Sequence, residues 1–142
     1  VSPAMMVLVK RGPAILLARN VAVPAGGRMS ALAGFVEAGE SLETCVVREI
    51  KEEVGIDVHS VRYLGSQPWP FPRSVMLGFA AIGDPAAPLL FADGEIAEGT
   101  WFTKDEVRAA LELGDWGSEA DAPLLLPGSI SIARGMLESW VK

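Results

Sequence analysis

The sequence has one cysteine, one histidine and one tyrosine among its 142 residues. Cys45 alone can neither close an internal disulfide nor build a zinc site, so disulfide-stapled and zinc-ribbon scaffolds are excluded within these residues. A lone thiol fits a reducing, cytoplasmic setting. Positive charge is also scarce: 12 Lys and Arg face 18 Asp and Glu, for a formal net charge of -6. Such a chain repels polyanions, which argues against long-range steering of nucleic acid. It does not exclude phosphate substrates, because carboxylates can hold cations that hold phosphates. No apolar run reaches the ~18 residues of a membrane-spanning helix. The first residues lack the basic region and cleavage site of a secretion signal, and the chain begins at Val1 rather than Met. What is present is ordinary core material. Half the residues are hydrophobic, enough for one sizeable core in a single domain spanning 1–142.

The pattern along the chain mixes strands and helices. Apolar runs at Ala4–Val9 and Ala14–Ala18, split by Gly12-Pro13, read as paired antiparallel strands. Asn20–Ser30 is a loop, and Ala31–Val36 is a short apolar stretch. Ser41 is a suitable N-cap for a helix that Gly55 stops. Ile56–Leu64 and Val75–Ile82 read as strands. Between them, Ser66–Ser74 carries three prolines at alternate positions and reads as a stiff extended loop. Ile96–Phe102 is a further strand. Thr103-Lys104-Asp105-Glu106 is a capping box for a helix ending near Leu113. Gly114–Pro127 is a loop, and an amphipathic helix covers Ser129–Val141. This order predicts an α+β fold, an α/β/α sandwich. His59 is expected exposed, Cys45 in small core packing, and Trp101, Trp116 and Trp140 in packing roles.

Glu49, Glu52 and Glu53 stand at i, i+3 and i+4, which puts three carboxylates on one helix face. Like charges so placed repel unless a cation neutralises them. Mg2+ or Mn2+ suits such oxygen donors. Arg48 beside this face can pair with Glu40 across the preceding turn. A solvated acidic face is the competing reading of the triplet alone. The wider pattern decides between them. Gly34, Glu40, Arg48, Glu49, Ile50, Glu52, Glu53, Gly55 and Ile56 occupy every defined position of the Nudix box. Chance agreement there would occur about once in 10⁸ windows.

This stretch resembles the Nudix hydrolase superfamily. The resemblance implies a mixed β-sheet between helices, with the box forming a loop-helix-loop. It also implies metal-dependent hydrolysis of a nucleoside diphosphate derivative. By position, Glu49 and Glu53 match metal ligands, Glu52 a ligand or base, and the carbonyl of Ala33 a further ligand. Gly34, Gly39 and Gly55 are expected to supply backbone freedom. Bound cations would neutralise the diphosphate and lower the pKa of an attacking water, whose proton a glutamate accepts.

Further along, Gln67-Pro68-Trp69-Pro70-Phe71-Pro72-Arg73-Ser74 resembles the signature of the NADH pyrophosphatase subfamily, whose members include hydrolases of NAD-capped RNA. Leu32-Ala33-Gly34-Phe35-Val36-Glu37 is typical of it. Glu95 matches another metal-binding carboxylate. Ser131-Ile132-Ala133-Arg134 matches a segment whose alanine lies against the substrate. The resemblance implies cleavage of NADH or NAD to AMP and nicotinamide mononucleotide, with removal of NAD caps from RNA ranked second. Phe35, Gln67, Pro68, Trp69, Pro70, Phe71, Pro72, Arg73, Ser74 and Ala133 would contact the substrate. It also implies a homodimer, while the lack of a strongly basic face on the last helix argues against membrane association. Two departures stand out. The subfamily's four-cysteine zinc ribbon is absent from these residues, and Val1-Ser2-Pro3 resembles the point just after it. Leu124-Leu125-Leu126-Pro127 replaces a run of prolines. A broader ADP-ribose or dinucleotide hydrolase and a non-catalytic nucleotide-sensing domain are the rival readings.

Overall fold

The apolar run after Pro3 is buried on both of its faces, as suits a strand at the centre of a covered sheet. It forms β1 (Ser2–Arg11) in a computed structural model that describes residues 2–69, 74–84, 86–117, 122–128 and 131–142. β2 (Ala14–Asn20) returns beside it, with Lys10 opposite Ile15 and Arg11 opposite Ala14. β3 (Leu32–Phe35) pairs antiparallel with the first half of β1. Helix α1 (Leu42–Val54) follows, then β4 (Val58–Trp69), β5 (Ser74–Gly83), β6 (Ile96–Thr103), α2 (Lys104–Leu113) and α3 (Ile132–Trp140). The sheet order is β4-β5-β1-β2-β6, with β3 also on β1. The sheet is mixed, because β5 runs parallel to β1 while its other pairs are antiparallel.

Alternation along the strands builds two cores. Met5, Val7 and Val9 of β1 meet Cys45, Val46, Ile50 and Val54 of α1 on one face. Met6 and Leu8 meet Val107 and Ala110 of α2 and Ala133, Met136 and Leu137 of α3 on the other. The result is the expected α/β/α sandwich. No helix among the described residues is long and apolar enough to cross a membrane.

Two sequence expectations change, and a third stands with burial added. The segment read as a loop from Ser66 is strand up to Trp69, with Pro68 opposite Val75 and Trp69 opposite Ser74. β4 lies at the sheet edge, where a proline can sit without breaking a ladder on its outer side. Residues 70–73 lie outside the described part. Leu124, Leu125 and Leu126 lie in a loop, as expected, but a buried one. The chain there is tied down by Leu125 N–H donating to the Gly27 carbonyl at 2.7 Å and by Met29 N–H donating to the Leu125 carbonyl at 3.0 Å. Trp116 Nε1 donates to the same Leu125 carbonyl at 3.1 Å. The last helix begins at Ile132 with Ser131 as its N-cap, later than read from the sequence; residues 129–130 are outside the described part.

Candidate active site

The site is built where β3 passes into α1. After Phe35 the chain turns through Gly39, whose φ of 78° is the left-handed conformation that favours glycine. Ser41 then caps α1, its hydroxyl accepting from Thr44 N–H at 3.1 Å. At the far end Gly55 takes φ 77° and donates its N–H to the Lys51 carbonyl. Gly34 is glycine for another reason. Its backbone is not left-handed, but a Cβ there would stand 2.5 Å from Glu49 Cδ. The expected backbone freedom at Gly34 is therefore corrected to space: the Glu49 carboxylate lies directly against β3.

Arg48 organises the turn. Its Nε and Nη2 donate to the two oxygens of Glu40 at 2.6 and 2.9 Å, a two-point pair between helix and loop. Nη2 also reaches the Phe35 carbonyl at 3.3 Å. Nη1 donates to Glu49 at 2.9 Å and to Glu52 at 3.2 Å. The guanidinium thus joins the end of β3, the loop and two of the three helix carboxylates. The Arg48 hydrogen bond is also the main reason the Glu40 carboxyl is held down at about 2.

Glu53 is the outlier. It is only 4% exposed, and its Oε2 has no hydrogen-bond partner. Burial, then the charges of Glu49, Glu95 and Asp93, push its carboxyl up to about 8. Glu49 is raised as well, by burial first, against the opposing pull of Arg48. A buried carboxylate oxygen with no donor, facing other acids, is costly unless a proton or cation joins it. Oxygen-only donors of this kind fit a hard divalent ion such as Mg2+ or Mn2+. Among the described residues no three acidic side chains already converge at coordination distance, with Arg48 drawing Glu49 and Glu52 to itself. Glu95, exposed just before β6, reaches Glu53 and Glu49 through its charge. Asp93 acts on Glu53 too; sequence reasoning passed over it, although its place two residues before Glu95 was the available signal.

The expected substrate residues divide. The Phe35 ring is 63% exposed at the end of β3. Strand register lines up Phe35, Ala4, Met76 and Gln67 across the sheet. Pro68, Trp69 and Ser74 follow Gln67 at the end of the β4–β5 pair. Pro70, Phe71, Pro72 and Arg73 lie outside the described residues. Ala33 is half-buried and packs toward the α2/α3 core. Ala133 has no exposed surface and sits in that same core, so its side chain is not brought to the carboxylates. Cys45 is buried, and burial above all pushes its thiol up to about 11, which makes it a poor nucleophile. His59 is exposed, with Nδ1 2.9 Å from Ser60 Oγ.

Residues 2–122 match the NUDIX domain family. The chain is 63% identical over 142 residues to a Mycobacterium bovis protein named NAD-capped RNA hydrolase NudC, a match covering 99% of this chain and 45% of that protein. A Pseudomonas aeruginosa protein of the same name is 53% identical over 141 residues, covering 99% of this chain and 44% of the relative. The chain thus spans less than half the length of these curated relatives. In fold, it resembles a NUDIX-family hydrolase from Clostridium perfringens with a TM-score of 0.69 at 14% identity, covering 98% of this chain and 95% of that one.

Proposed function

Because this chain belongs to the Nudix family, we propose that it is a metal-dependent hydrolase of the diphosphate bond of NADH or NAD, releasing AMP and nicotinamide mononucleotide. The observation that carries the reading is the unpartnered, buried oxygen of Glu53 beside three further acidic groups, Glu49, Glu95 and Asp93. Glu49 and Glu53, with Glu95 and the Ala33 carbonyl, would hold Mg2+ or Mn2+. When bound, the cation supplies neutralisation of the diphosphate and a water of lowered pKa. The chain's own groups do the rest. Glu52, exposed on the helix rim, takes the proton of the attacking water. Arg48 keeps Glu49 and Glu52 oriented and ties them to the loop through Glu40. The exposed Phe35 ring stacks on a base. Gln67 and Ser74, with Pro68, Trp69, Pro70, Phe71, Pro72 and Arg73 between them, position the ribose and phosphates; Ala133 supports that edge from within the core.

Removal of NAD caps from RNA is a second reading of the same chemistry, supported by the names of the relatives. The chain acts as one domain over 1–142, as a homodimer, in the cytoplasm. Product analysis with NADH, NAD, ADP-ribose and NAD-capped RNA, each with Mg2+ or Mn2+, tests the proposal. AMP and nicotinamide mononucleotide from NADH are expected. Intact NADH beside rapid ADP-ribose cleavage would replace it with a broader dinucleotide hydrolase.

A further inference from the structure

On the sheet face opposite α1, a cleft of about 730 Å³ opens between α3 and the strands β4, β5 and β1. The strand register explains its floor. Leu8 of β1 stands opposite Ala80 of β5, and Ala80 opposite Arg62 of β4, so these three positions form one row on the α2/α3 side. Lys10 lies one row further on, opposite Ile82, and Lys104 at the start of α2 closes that end. Three cations therefore line one cleft of a chain whose net charge is -6.

None of the three has an ion pair among the described residues, although Arg19, Arg48, Lys51, Arg108 and Arg134 each have at least one. The Lys104 ammonium lies 5.5 Å over the Trp140 ring. The Lys10 ammonium is held below its ordinary value by burial first, then by the charges of Arg62 and Lys104. Among the described residues that line the cleft and the adjoining hollow, Asp105 is the one acid, and it is already paired with Arg108 at 2.9 Å. Converging cations with no counter-charge make a region where an anion lowers the energy. The other walls are apolar or hydroxylic: Leu64, Met136 and Trp140, with Ser66, Ser131 and Ser139. A volume within the ~300–1,000 Å³ of ligand sites, apolar walls and a charged end suit an organic phosphate better than a bare ion.

We propose that this cleft is a phosphate-ester binding site separate from the carboxylates of α1, with Lys10, Arg62 and Lys104 holding the phosphate and Leu64, Met136 and Trp140 walling its organic part. It does not depend on the hydrolysis proposed above. Two sources present the same chemistry, a free nucleoside monophosphate and the phosphodiester of a single-stranded RNA.

Titration of this chain with AMP and, separately, with a short uncapped oligoribonucleotide tests it. EDTA keeps divalent ions from the α1 carboxylates, and Trp140 fluorescence with a Trp140→Phe control reads the cleft. Saturable binding of either ligand is expected, weakened at least about tenfold in a Lys10→Gln/Arg62→Gln/Lys104→Gln variant and steeply by salt. A Lys104→Arg variant, which keeps the charge, should bind within about threefold of the parent. AMP alone saturating identifies a free nucleotide, and the oligoribonucleotide alone identifies an RNA backbone. Melting curves establish that the variants are folded. The proposal is overturned if neither ligand saturates, if the folded triple variant binds as tightly as the parent, or if Glu53→Gln abolishes the binding.

Discussion

Glu53 concentrates the chemistry of this chain in one side chain. In the metal-free fold its carboxyl keeps its proton up to about pH 8, whereas in the unfolded chain it loses it near 4.5. The folded state therefore binds the extra proton between those values. The associated stability is fully present below about pH 4.5 and is lost as pH rises through about 8. Glu53→Gln cannot ionise, so without metal its melting temperature should exceed the parent's by a few degrees near pH 9 and match it near pH 5. In the proposed hydrolysis the same variant should lose about 10²–10³-fold in kcat, because charge stabilisation at the diphosphate would be the main catalytic term. Unchanged turnover would remove Glu53 from the site. Glu40 has the opposite sign. Held near 2 by Arg48, it contributes stability above the ordinary carboxylate range that disappears as pH falls through about 2. Glu40→Gln should melt below the parent at neutral pH, with the gap closing only in strong acid; thermal unfolding across pH reads both variants. Gly34→Ala places a Cβ 2.5 Å from Glu49 Cδ and should push that carboxylate away from β3. A loss of about 100-fold in kcat with a small drop in melting temperature is expected, because a small displacement of a positioned group costs that much.

Helix α1 can hold its carboxylates in place only if its first turn is fixed. Ser41 does this by accepting from Thr44 N–H, so Ser41→Ala should cost about 1 kcal/mol of stability, measured by urea unfolding. Much of this element was legible in the sequence, because cap, glutamate spacing and stop glycine are local signals that burial does not override. Gly39 and Gly55 were read for the right physical reason, and Gly34 was not. A need for space depends on what packs across from a residue, and the spacing of the box carries no trace of the Glu49 side chain folding back on β3. β4 shows the same limit. Three prolines forbid a central strand, but they say nothing of which strand lies at an edge, and β4 lies at one. Leu124–Leu126 lie in the loop that the sequence predicts, but their burial was not read, although three adjacent leucines were a signal of it. Lys10, Arg62 and Lys104 are far apart in sequence and meet only through the register of β1, β5 and β4 and the start of α2, so no linear pattern announces them.

At the scale of the molecule, one sheet separates two electrostatic environments. The α1 side gathers Glu49, Glu53, Glu95 and Asp93, and the α3 side gathers Lys10, Arg62 and Lys104. An acidic face costs the metal-free fold stability because its charges repel, and a divalent ion should return that stability by binding the native state alone. The gain follows mass action, about 2.7 kcal/mol at a hundredfold excess over Kd. For a domain of this size that is on the order of 5–10 °C in melting temperature. The gain must also depend on pH, since the ion competes with the proton that Glu53 keeps up to about pH 8. Melting curves with and without Mn2+ should therefore show a shift that grows from about pH 6 to about pH 8.5 and is largely lost in Glu53→Gln. A shift of equal size at both pH values, surviving that substitution, would mean that the ion binds elsewhere. The assignment of a metal site to α1 would then fail while the fold stood untouched.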